Sequence, residues 1–272
     1  MINVSRRTLI ITLTALCIVW VAWLGVGFYQ RHSGKSDFKE LEITNEVDLK
    51  LDAHVANIYI SPSDTNTLKI ESKRAGLIDL QNQKDTINIT VDDDKSRAER
   101  IIFLEIPGLI RNLEVRTKVG NIDIADISND SIMLDTSTGN VIAHSLKTDT
   151  LTIDSSIGNI DLSEIKANTV EAKTSTGNID ITASADVLNA KSSIGDVSIN
   201  ADEINTMDIS TGTGDIYISL EDENGTFSIE TSNIVDAYIF GDNVGSRQDN
   251  LVYGTGRPIV KAKNSLGSIE IK

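Results

Sequence analysis

Three carboxylates stand in equivalent places along the chain. Asp123, Asp161 and Asp180 each follow an asparagine by two residues, in the phrases Asn121-Ile122-Asp123, Asn159-Ile160-Asp161 and Asn178-Ile179-Asp180. Two carboxyl groups held side by side can act as an acid and base pair on a polysaccharide. Their mutual repulsion raises one pKa, and the same pair could hold calcium weakly. Ile142, Ser198 and Tyr217 occupy the equivalent positions in other copies of the phrase. Asp161 and Asp180 are therefore expected as neighbours, with Asp123 and Asp161 about two strand spacings, roughly 10 Å, apart. Solvated strand charge explains the same pattern.

Other chemistry is thinner. Asp92-Asp93-Asp94 lacks the spaced ligands and distal Glu of an EF-hand loop and reads as a polar turn. His32, His54 and His144 lie in no metal or nucleophile motif. Serines and threonines recur in every copy of the phrase, which marks them as parts of a fold. Gly254-Thr255-Gly256 is too short for a phosphate loop and lacks a strand–helix setting. The one cysteine, Cys17, lies in an apolar run, so no disulfide within the chain and no cysteine-based zinc site can form. No catalytic, cofactor-binding or metal-ligating residue is assigned, no cofactor is expected, and the chain is read as a non-enzyme.

The elements that carry these residues follow from a repeat. Gly120, Gly139, Gly158, Gly177, Gly195 and Gly214 are separated by 19, 19, 19, 18 and 19 residues. Ahead of each glycine runs an apolar/polar alternation, such as Leu151-Thr152-Ile153-Asp154, and after it a second, such as Ile179-Asp180-Ile181. Period two specifies a strand with one buried face. Ile127, Leu146 and Ile165 mark a weaker third side. Two strands and a short side every 19 residues describe one coil of a parallel β-helix, an all-β solenoid whose single coils cannot fold alone. Glycine supplies the positive φ of a sharp corner. Stacked Asn side chains, and stacked Ser/Thr, are expected to bond one another along corners. Eight or so coils would make a rod on the order of 40 Å long.

The same grammar organises the ends. Residues 49–60 align position by position with residues 113–124, Ala56 standing for Gly120. Residues 67–72, 86–91 and 101–106 read as strands, so residues 40–111 form irregular opening coils or a cap, and 112–240 the regular β-helix. Residues 235–239 stand in for the Gly-Asp phrase. Residues 241–258 read as a Gly-rich loop and 259–272 as a final coil, with no obvious cap after Lys272. An open coil end is a pairing hazard or an assembly surface.

Residues 9–28 are a charge-free apolar run long enough to span a hydrocarbon core as a helix. Residues 1–8 then read as a short cytoplasmic N-terminus, 9–28 as a transmembrane signal anchor and 29–39 as a tether. Everything beyond lies outside the cell. A cleaved signal peptide ending near Gly25-Val26-Gly27 is the alternative. The chain has a net charge of -15. Removing Arg6 and Arg7 from the 25 Lys and Arg leaves 23 bases against 40 acids after the anchor, a net of -17. That excludes duplex nucleic acid as an electrostatic partner and an anionic membrane surface likewise.

The succession of residues 101–107, 113–124 and then [Ser/Thr]-[Ser/Thr]-x-Gly-Asn-Ile-x-Ile resembles the bacterial "putative adhesin" β-repeat family, related to head-GIN adhesin-like domains, over roughly residues 40–272. With the N-terminal anchor, the layout resembles LiaG-type membrane proteins of Gram-positive bacteria, associated with cell-envelope stress. The resemblance implies a β-helix outside the membrane and carries no catalytic residue. The expectation is a single-pass cell-membrane protein, N-terminus inside, meeting a protein or glycan of the cell envelope in adhesion or envelope stress. A polysaccharide-active enzyme and a scaffold polymerising end to end are the alternatives.

Overall fold

Alternating Ile, Val and Leu give strands one apolar face, and stacking buries those faces in columns. In the computed structural model, residues 36–73, 78–91, 100–220, 225–231, 236–244 and 251–272 are described, and Ser36–Lys272 forms one compact unit. The expected segments 1–8, 9–28 and most of the tether lie outside the described residues, as do Asp92-Asp93-Asp94, His32 and Val235. Among the described residues no helix is long and apolar enough to cross a membrane.

The structure is an all-β solenoid. One inward column runs Leu104, Ile60, Ile124, Ala143, Leu162, Ile181, Ile199, Ile218, Ile271, Ile239, each in parallel register with the next. That is ten rungs, hence about 43 Å at 4.8 Å per step. A facing column runs Ile89, Leu51, Val115, Leu134, Ile153, Ala172, Ala190, Ile209, Ala262, Ile229. All of these side chains are buried. The third side is closed by Ile127, Leu146 and Ile165, also buried. Residues 49–60 stack on 113–124 in the expected register.

The corner between the two long faces explains the repeated phrase. A Cβ on Gly177 would lie 2.0 Å from the Gly158 carbonyl oxygen, and its φ is +152°. Gly120 would meet the Ala56 oxygen at 1.9 Å. The glycines therefore stack backbone on backbone, and Ala56 fits the first of these corners because it does not take their positive φ. The buried Ser/Thr three residues before each glycine do not bond one another. Each donates to the glycine carbonyl one rung back: Thr136 to Gly120 (3.1 Å), Ser155 to Gly139 (3.1 Å), Thr174 to Gly158 (3.0 Å), Ser192 to Gly177 (2.9 Å) and Thr211 to Gly195 (2.8 Å). Asn264 fills the same place with an amide donor to Gly214 (2.8 Å). The asparagines also differ from expectation. The Oδ1 of Asn121, Asn140 and Asn159 accepts the backbone N–H of the next rung's asparagine at 2.8–2.9 Å. Backbone N–H groups at a corner have no ladder partner, so the amide oxygens satisfy them first.

The single 18-residue step also has a structural origin. Asp126, Ser145 and Glu164 take positive φ (58°, 54° and 55°) at the corner leading to the third side. One rung later, Leu162 and Ile165 pair with Ile181 and Ala183, so the residue that would match Glu164 is missing. Thr182 alone spans that corner.

Neither end is an open coil. Val47–Val55 lies between Thr86–Val91 and Ile110–Val119. At the other end Ile259–Leu266 lies between Val197–Thr213 and Thr226–Thr231. The coil that is last in sequence is thus next to last in space, and the expectation of an uncapped end at Lys272 is corrected. Lys272 donates its N–H to Ile218 and accepts from Leu220, both at 2.9 Å. The outermost rungs carry antiparallel strands: Thr67–Lys73 on Ile101–Ile106, Asp37–Glu42 on Thr67–Lys73, and Ile78–Gln83 on Thr86–Val91. At the far end Leu251–Tyr253 runs antiparallel to Thr226–Thr231, and Asp242–Asn243 to Ala237–Ile239. Part of the expected Gly-rich loop therefore serves as an edge cover.

Candidate functional site

The carboxylate column lies where its spacing puts it. Asp161 and Asp180 are register partners, and Ile142 separates Asp123 from Asp161. Partial burial raises the Asp180 carboxyl above the usual range, and the charge of Asp161 raises it further. Burial alone raises Asp123. The pair stands on a flat outer face, and neither residue lines either of the two cavities described below. Among the described residues no group of three or more His, Cys, Asp or Glu is placed to hold a metal ion. Of the two histidines within the described residues, His54 lies 3.4 Å from the Lys118 ammonium and His144 2.9 Å from the Ser163 hydroxyl.

Sequence reasoning missed a groove on the third side. There the strand register shifts, between Leu162 and Ile165 and between Ala183 and Ala185, and two cavities of about 510 and 490 Å³ share Ala167, Asn168, Ser184 and Glu203. They merge into a groove along the rod, from Glu46 and Gly108 to Arg257 and Pro258. One wall is a ladder of polar residues in which Asn168 donates to Asp149 (3.1 Å) and Asn205 to Asp186 (2.8 Å). Thr148 bonds the Asp130 and Thr150 carbonyls, fixing the wall from behind. Lys147 and Lys166 lie on the groove in register with each other. Neither has a carboxylate within ion-pair distance among the described residues. These two ammonium groups on successive rungs stand among the carboxylates of Glu46, Asp130, Asp149 and Glu203, so the groove offers both signs of charge. The sequence signal was present in the stacked Lys147/Lys166 and Asp149/Asn168 positions, 19 residues apart, but the weak apolar pattern of this side drew no attention to its polar residues.

A family model described as Toastrack DUF4097 matches residues 38–272. The chain belongs to this family. Among solved structures it is similar to a "putative adhesin" from Bacteroides fragilis, with 18% identity, a TM-score of 0.55, and coverage of 88% of this chain and 98% of that one. It is also similar to a "putative lipid binding protein" from Parabacteroides distasonis, with 17% identity, a TM-score of 0.53 and coverage of 88% and 98%. No curated protein matches the chain. The adhesin-type resemblance thus holds at the level of family and fold. The toastrack solenoid is common to these proteins, and neither the family description nor these two names is that of an enzyme.

Proposed function

We propose that this toastrack protein is an adhesin-like interaction module, anchored in the cell membrane by residues 9–28 and displayed outside the cell. Its groove on the third side would take an extended polymer of the cell envelope. The observation that carries this is the groove itself. It is continuous over several rungs, walled by hydrogen-bonded amides and carboxylates, and carries the unpaired pair Lys147 and Lys166. An extended ligand with acidic groups would meet the lysines, and its hydroxyl or amide groups would meet the Asp and Asn ladder. The adhesin-named structural relatives and the apolar N-terminal run support the same placement. The LiaG-like layout extends it to a role in envelope stress.

Binding of fluorescent wall fragments to cells expressing the protein tests the groove. Lys147→Glu with Lys166→Glu is expected to reduce binding at least tenfold while leaving surface display unchanged, and unchanged binding would sink the assignment. Protease shaving of intact cells tests the topology, because a protected rod would place it inside. Deletion of the protein should alter survival under wall-active antibiotics if the stress role holds. A glycan-cleaving role has one observation in its favour, the raised carboxyl of Asp180 beside Asp161. Release of soluble fragments from wall polysaccharide, abolished by Asp180→Asn, would be required to adopt it.

A further inference from the structure

The glycine corner carries a second period that the 19-residue repeat conceals. The residue just before each glycine is exposed, and along the rod these positions read Val119, Thr138, Ile157, Thr176, Ile194, Thr213, Leu266, in continuous register. Aliphatic and threonine side chains alternate. Val119, Ile157, Ile194 and Leu266 are 46%, 56%, 57% and 55% exposed, the last three among the most exposed large apolar side chains described. The corner is therefore a ridge with an aliphatic tooth every second rung, about 9.6 Å apart, and a smaller threonine between teeth. It is also uncharged along most of its length, flanked by Ser137, Ser156, Ser175 and Ser193 on one side.

We infer that this ridge is a docking surface for a second copy of the chain, paired side by side and antiparallel. A ridge that alternates large and small is complementary to itself when shifted by one rung. A two-fold axis parallel to the rod would set each tooth against its own copy. An axis perpendicular to the rod, passing between the Ile157 and Thr176 rungs, sets three teeth into gaps: Ile157 against Thr176, Ile194 against Thr138 and Val119 against Thr213 of the second copy, while Leu266 at the end of the ridge meets Val55, the half-buried residue one rung before Val119. The flanking columns select the same register. Lys118 is the bulky residue in the serine column, and Gly212 its smallest; this register places them opposite each other. On the other flank Asp215 and Asp196 meet Asn121 and Asn140 of the second copy, so carboxylates face amides and not one another. Like charges are kept apart, as a contact between two strongly acidic copies requires.

The strip is narrow, about 29 Å from Val119 to Leu266. It falls short of the roughly 800 Å² per partner of a standard interface, so the dimer is expected to be weak, with a Kd above ~1 µM. This inference stands apart from the groove and from the membrane anchor.

Cross-linking of the full chain in detergent micelles tests it, with Cys17→Ser in the background. In the inferred register Ser137 faces Ser193 of the second copy, while two Ser137 residues are three rungs, about 14 Å, apart. A differently tagged mixture of Ser137→Cys and Ser193→Cys chains, oxidised at ~100 µM, is expected to yield the mixed disulfide. Either variant alone is expected to yield at most a tenth as much. Ile157→Asp added to both is expected to abolish the link and Ile157→Val to keep it, with unchanged circular dichroism for all. No mixed disulfide, or equal linking by a single variant, would overturn the inference. A link that survives Ile157→Asp would overturn the ridge as its cause.

Discussion

The middle of the rod and its two ends are built from the same strands but stacked by different rules. Between residues 113 and 218 each rung lies on its sequence neighbour, and the Gly, Ser/Thr and Asn positions form unbroken columns. At the ends the chain skips a level and returns. Residues 47–62 are covered on one side by residues 86–91 and 101–106 and on the other by residues 110–124. Residues 259–271 fill the level between 206–218 on one side and 226–231 and 237–239 on the other. Periodic stacking propagates stability cheaply but leaves edges. Intercalation places each terminal coil between two others and hands the outer edge to short antiparallel strands, so sealing is a matter of chain order as well as residue type.

The largest effect is expected from removing residues 259–272. The deletion withdraws buried Val260, Ile269 and Ile271, on the order of 5 kcal/mol of apolar burial, and opens a gap inside the rod. Limited proteolysis is expected to cut the 204–239 region while sparing 113–199. Next in size are the glycines. Gly177→Ala must push a Cβ into the Gly158 carbonyl at 2.0 Å and is expected to cost roughly 3 kcal/mol. Gly241→Ala, near the end, has φ +85° but nothing within 4 Å, so only the backbone preference of about 1 kcal/mol is lost. Urea denaturation should rank the two in that order, and a reversed order would mean that the glycine column does not hold the middle together.

Smaller still is Thr174→Val, which removes the donor to the Gly158 carbonyl and should cost about 1 kcal/mol. The smallest effect is in pH, and it has opposite signs in the two regions. Asp180 in the middle has its pKa raised above 3.8 by burial and by Asp161. Its charge is therefore unfavourable to the fold at neutral pH, and stability is gained as pH falls through its raised pKa. Asp215, at the junction with the intercalated coil, has its pKa lowered by the Ser268 N–H and hydroxyl. Its contribution is present above 3.8 and is lost as pH falls through the lowered value. Asp180→Asn should raise the melting temperature slightly at pH 7 and have no effect at pH 3. Removing the Asp215 acceptor with Asp215→Ala should lower it at pH 7, and the difference should shrink at low pH.

The middle is legible in the sequence because alternation and a fixed glycine step specify strand, corner and register together. Ile122, Val141, Ile160 and Ile179 can each be placed in the core from the repeat alone. Level order at the ends is not legible, because Val260-Lys261-Ala262 fits on either face of residues 207–209 equally well by pattern. What decides it is which segments remain to cover the edge. The Ser/Thr and Asn bonding partners depart from expectation for a related reason: stacking of like residues is visible in sequence, while unsatisfied corner backbone groups are not. The Asp161 and Asp180 adjacency is legible, the groove is not, and the two-rung alternation of Ile and Thr is in plain view but subordinate to the stronger 19-residue signal.

The intercalated coil makes the far end of the rod depend on the order in which the chain is made. A ribosome makes residues 226–231 and 237–239 before 259–271, yet those earlier strands have no parallel level to rest on until the later one arrives. A chain halted before residue 259 lacks the strand on which the buried Phe227 and Ile229 are paired. Residues 259–271 act as a keystone: made later, they lock elements that were made before them.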